Sequence, residues 1–161
     1  MLKSKVEKIM NEQIEKEGFS SILYLSMASW AESKGMAGVA QWLFAQAEEE
    51  KEHMLKFIAY INERGGRAII PAFEKPKNEW KDIHILFAEV LDHEKYISES
   101  INKILEIAIK ENDYASQNWI QWFVAEQVEE ESSVQAVIDK LNLISKNNLY
   151  AFDRDIMSLR S

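Results

Sequence analysis

Ala47-Glu48-Glu49-Glu50-Lys51-Glu52-His53 packs four carboxylates and a histidine into seven residues. Most runs of this kind form the solvated face of a helix. The phase here says otherwise. Leu43, Ala47, Glu50, Met54, Phe57 and Ile61 recur at alternating steps of four and three, the seam of a packed helix. Glu50 therefore stands where an apolar residue belongs, and His53 sits one turn further along beside it. A carboxylate in a packing seam costs several kcal/mol unless something neutralises it.

Three more segments show the same interruption. The first is predicted to be a helix from about Ser4 to Ser33, with the seam Val6, Met10, Gln13, Glu17, Ser20, Tyr24, Met27, Ala31. The second helix, which carries the opening stretch, runs from about Met36 to Arg64. The third, from about Asp82 to Lys110, has the seam Ile83, Phe87, Val90, Glu94, Ile97, Ile101, Ile104, Ala108. The fourth, from about Asp113 to Ser145, has Ile120, Phe123, Gln127, Glu130, Val134, Val137, Leu141, Ile144. A short fifth helix, from about Asn148 to Leu159, puts Leu149, Phe152, Ile156 and Leu159 on one face, as a lid on the bundle or an oligomer contact.

The breaks between helices set the topology. Gly35 allows a tight turn, so the first two helices form an antiparallel hairpin. Gly65-Gly66 ends the second. Both prolines, Pro71 and Pro76, lie in the 15 residues from Arg67 to Lys81, which no helix crosses. That linker can span ~50 Å, and a 30-residue helix is about 45 Å long. It can return along the whole bundle and leave the third helix parallel to the second. Gly18 marks a possible close approach inside the first helix.

Reflection about the two hairpin turns places Glu17 level with Glu50 and His53, and Glu94 level with Gln127 and Glu130. With the second and third helices parallel, all of them share one mid-bundle layer. Four carboxylates crowded together in low dielectric repel and protonate unless cations balance them, and two divalent ions would do so. Oxygen donors with one imidazole suit Fe, Mn or Zn.

The 161 residues suit one domain with a substantial core. A net charge of -8 disfavours nucleic acid and anionic membranes and suits cations. The lack of cysteine excludes disulfides, thiolate metal sites and cysteine nucleophiles. No apolar run reaches membrane length and the start carries no signal core, so a cytoplasmic location is expected. His84 and His93 fall off the seams and are expected at the surface. Tyr24 and Trp122 read as core aromatics with a polar handle.

At these residues the chain resembles the ferritins, specifically the haem-free bacterial type, over essentially its whole length. Inward Glu and Glu-x-x-His ligands are the known pattern of ferritin-like dimetal bundles, not a deduction from this chain. The resemblance implies an all-α four-helix bundle with a long crossover and a short fifth helix. It implies one iron held by Glu17, Glu50 and His53 and a second by Glu50, Glu94 and Glu130, with Glu50 bridging. Gln127 matches a weakly interacting polar position. A third iron would map to Glu49, Glu126, Glu129 and Glu130, and Tyr24 to an electron-transfer tyrosine. Gln127-x-x-Glu130 departs from the haem-binding bacterioferritin branch, so no haem is expected. The missing cysteines set aside rubrerythrin, and the layer within one bundle sets aside Dps-type shells. The implied activity is oxidation of Fe(II) by O2 or H2O2 and storage of Fe(III) as mineral in a shell of 24 subunits. A dimetal oxygenase or peroxidase, and a purely structural assembly, are the alternatives.

Overall fold

The structure is a computed structural model and describes residues 1–144 and 147–160. Helix α1 spans Ser4–Ser33, α2 Ala37–Glu63, α3 Ile83–Lys110 and α4 Tyr114–Leu143. A short helix α5, Leu149–Asp155, runs into a 3-10 turn over Ile156–Leu159. The expected end of the fourth helix at residue 145 lies outside the described residues.

Asp82 and Asp113 start α3 and α4 as N-caps, their carboxylates accepting from the Ile85 and Ser116 amides. Asp113 also accepts from Arg64 Nη2 at 3.1 Å and from the Lys3 amide at 3.3 Å. These bonds gather the start of α1, the ends of α2 and α3 and the start of α4 at one end of the bundle, so α2 and α3 run parallel.

The crossover travels beside α1. Asn11 holds its first residues, donating to the Arg67 carbonyl and accepting from the Ile69 amide, and Ser26 holds the Lys77 carbonyl at 2.7 Å. Between them Phe73 lies over Gly18, where a Cβ would come within 2.4 Å of the Phe73 ring. Gly18 thus makes room for the linker. At the far end Trp80 packs edge-on against Trp30.

The short fifth element closes that far end. Phe152 and Ile156 are buried against the bundle, and Asp153 accepts from the Val39 amide at 2.8 Å at the start of α2. A Cβ on Gly38 would sit 1.8 Å from the Asp153 carbonyl oxygen, so only glycine admits this contact. Within one chain, the apolar stripe is a lid on its own bundle.

The core divides in two. One apolar cluster holds Met27, Leu43, Phe87 and Val134, the other Met10, Phe57, Ile101 and Phe123. The inward polar residues separate them. Among the described residues no helix is long and apolar enough to cross a membrane.

Candidate metal centre

The alternating steps of four and three put every seam residue of α1 and α3 in the buried class, polar ones included. Glu17, Glu50, His53, Glu94, Gln127 and Glu130 are all at most 5% exposed. They come from four helices and share one layer.

Their hydrogen bonds divide them. On one side, Glu17 Oε2, both Glu50 oxygens and His53 Nδ1 are buried without a partner. His53 Nδ1 lies 3.4 Å from Glu50 Oε2 and 3.9 Å from Glu17 Oε2. One ligand atom from each of the three falls within 4.8 Å of the others, close enough to share a metal ion. On the other side, Glu94 is engaged. Tyr24 donates to its Oε1 and Gln127 Nε2 to its Oε2. Gln46 donates to Glu130 Oε2. A second convergent group is His53, Glu126 and Glu130. Glu94 belongs to neither group.

Such burial has electrostatic consequences. Burial first, then the charges of Glu94, Glu17 and Glu130, pushes the Glu50 carboxyl well above the usual range. Burial raises Glu94 to about 7, although the Tyr24 and Gln127 hydrogen bonds pull it down. Burial, with Glu94 and Glu49 nearby, raises Glu130 to about 9. Tyr24 is driven well above its ordinary value by burial and by the charges of Glu94 and Glu50, so its phenol stays protonated. Partnerless carboxylate oxygens in such a place are the signature of a site shaped for cations.

A family model described as a ferritin-like domain matches residues 7–144. A bacterial non-heme ferritin of Campylobacter jejuni is 37% identical, the match covering 99% of this chain and 96% of that one. One of Escherichia coli O157:H7 is 35% identical over 99% of this chain and 98% of its own.

The chain belongs to the ferritin family.

In three dimensions it superposes on an open pore ferritin of the archaeon Archaeoglobus fulgidus with a TM-score of 0.95 and 40% identity, over 99% of this chain and 98% of that one. Within this ferritin fold the remaining candidates are also placed. Glu49, Glu126, Glu129 and Glu130 line one narrow cleft of about 60 Å³ beside the layer, together with Trp42, Gln46, Ser133 and Arg160. Glu129 is exposed, whereas Glu49 and Glu126 are half-buried. The four acids brought together by the resemblance are therefore neighbours.

Two expectations are corrected. His93 is not a surface residue: it is half-buried, its Nε2 lies 2.7 Å from Ser20 Oγ, and its ring meets Tyr24 edge-on. Burial lowers it to about 4, so it is neutral at pH 7. Its off-seam position misled because α1 and α3 pack closely enough to cover the flank of the seam. Trp122 is not a core aromatic: it is 43% exposed. It covers His53 edge-on and carries Lys56 Nζ 3.3 Å above its ring. His84 is exposed, as expected.

The supporting amides were not anticipated as part of the site. Gln13 donates to Glu17 Oε1 at 2.8 Å and accepts from Ser100 Oγ, and Gln46 holds Glu130. The available signal was their position, each one helical turn before an inward glutamate.

Proposed function

We infer that this ferritin binds Fe(II) in the carboxylate layer, oxidises it with O2 or H2O2 and stores the Fe(III) as mineral. The observation that carries this is the set of facing, partnerless atoms of Glu17, Glu50 and His53 at the centre of the bundle. The relatives' names as ferritins and non-heme ferritins support it.

In this reading Fe(II) is the substrate. Glu17, Glu50 and His53 hold one ion. Glu50, Glu94 and Glu130 hold the second, Glu50 serving both. Gln127 interacts weakly from beside Glu94. His53 ligates without adding charge. The carboxylates must give up their protons to bind, and their negative charge then favours the ferric over the ferrous state. Two Fe(II) supply two electrons. O2 takes these with two protons to give H2O2. H2O2 takes them with two protons to give two waters. Tyr24 would act in electron transfer beside the layer, its hydroxyl donating to Glu94. Glu49, Glu126, Glu129 and Glu130 would take a third ion on its way out of the layer. No haem takes part.

We also propose that the chains assemble into a hollow shell of 24 subunits in the cytoplasm, the reducing compartment where Fe(II) persists. The dimetal oxygenase alternative needs space for an organic substrate, typically ~300 Å³ or more. The acidic cleft beside the layer offers about 60 Å³.

The test is aerobic addition of excess Fe(II), followed by sizing and elemental analysis of the protein fraction. Storage predicts a large particle retaining far more iron than its ligands can coordinate. A small oligomer with at most a few ions per chain would refute it.

A further inference from the structure

Next to the layer the protein already carries a cation of its own. Arg160, beyond the fifth element, turns back into the acidic cleft. Its Nη2 pairs with Glu49 Oε2, its Nη1 donates to Gln46 Oε1 at 2.9 Å, and its guanidinium carbon lies 5.9 Å from the centre of the Trp42 ring. The side chain is only 20% exposed. The same Gln46 uses its amide nitrogen to hold Glu130. Arg160 therefore reaches one glutamate of the cleft directly and a second through one amide.

This arrangement offers what a metal would offer. The cleft gathers Glu49, Glu126, Glu129 and Glu130 within about 60 Å³, and among the described residues Arg160 is the one basic residue lining it. A guanidinium satisfies carboxylate oxygens in fixed directions and needs no entry from solution. It is also tethered, so its effective concentration at the cleft is high and independent of the surroundings. A divalent ion that uses Glu49 must break the Arg160 pair.

We propose that Arg160 is a built-in competitor for the outer acidic cleft: its guanidinium and a divalent cation occupy Glu49 in turn. This rests on the reading of the layer as a metal centre and adds a regulation to it. Arg160 is held by Trp42, Gln46 and Glu49, and the site of Glu17, Glu50 and His53 fills independently of it. The outer position fills only when metal is abundant enough to displace the arginine. Displacement also frees Gln46 and with it one restraint on Glu130, so outer filling loosens an inner ligand and favours movement of the ion outward.

The experiment is calorimetric titration of the chelator-stripped whole protein with Zn(II), a redox-inert probe, for wild type, Arg160→Ala and Arg160→Lys. In Arg160→Ala the weakest class of sites should tighten by about fivefold to tenfold, the scale of losing one partly exposed ion pair. Binding at Glu17, Glu50 and His53 should not change. Arg160→Lys keeps the charge and should return the weak class toward wild type. Sodium chloride should weaken the outer class less in wild type than in Arg160→Ala, because in wild type it also screens the competing ion pair. An outer affinity that is unchanged or lower in Arg160→Ala, with inner binding intact, overturns the competitor role alone. Absence of inner binding in wild type overturns the metal centre, and the competitor role with it.

Discussion

Nδ1 of His53 lies 3.4 Å from Oε2 of Glu50, one helical turn earlier, and both atoms are buried with no hydrogen-bond partner. Folding alone has no use for this contact. A buried carboxylate left without donors is among the costlier defects a core can contain. Replacing Glu50 with its neutral isostere should therefore help the metal-free protein and harm the site. Glu50→Gln is expected to stabilise chelator-treated protein by about 1–3 kcal/mol at pH 8, with the gain fading toward pH 4.5. Denaturant unfolding in both forms at both pH values measures this.

The raised carboxyls give the metal-free protein a definite pH dependence. Glu94 at about 7 and Glu130 at about 9 hold protons in the folded state that an ordinary glutamate near 4.5 releases when unfolded. Their contribution is complete below about pH 4.5 and is lost as pH rises through 7 and 9. Chelated protein should melt at progressively lower temperature between pH 5 and pH 9. Saturating Zn(II) should remove most of that decline, because bound carboxylates are already deprotonated. Parallel thermal melts with and without metal test both statements.

His93 works in the opposite direction. Its folded value of about 4 lies below the ordinary 6.5, so the stability it contributes is present above 6.5 and lost as pH falls toward 4. His93→Gln should lose less stability than wild type between pH 6.5 and pH 4, by on the order of 2–3 kcal/mol. Acid unfolding followed by far-UV circular dichroism compares the two.

How far the chain could be read in advance depended on periodicity. The seams of α1, α3 and α4 were legible because one misplaced glutamate in an apolar line of period 3.5 stands out, as Glu94 does between Val90 and Ile97. The crossover was legible from Pro71 and Pro76. Residues that act from beside a seam were not. Gln46 and His93 occupy flank positions, where burial depends on how closely the neighbouring helix approaches, and no local pattern encodes that distance. Arg160 lies 111 residues from its partner Glu49. Nothing in the sequence around either residue announces the pair. Gly38 had the same difficulty: its need appears only once Asp153 is seen resting on it.

That contact makes a further prediction. Adding a single methyl at residue 38 would place it 1.8 Å from the Asp153 carbonyl oxygen, a backbone atom that cannot swing aside. Gly38→Ala should detach α5 despite the gain of up to ~1 kcal/mol in helix propensity. Amide hydrogen exchange should then speed up across Leu149–Asp155 while α1 and α3 keep their protection.

The central claim is that inward carboxylates on four helices exist to hold iron while it is oxidised. The most direct measurement loads wild type and Glu50→Ala with two equivalents of Fe(II) per chain without oxygen, then mixes with air and follows ferric absorbance. Rapid ferric formation in wild type, with Glu50→Ala slowed about 100-fold or more toward the protein-free rate, is the result expected when a group essential to the oxidation is removed. Equal rates in the two proteins would contradict the account.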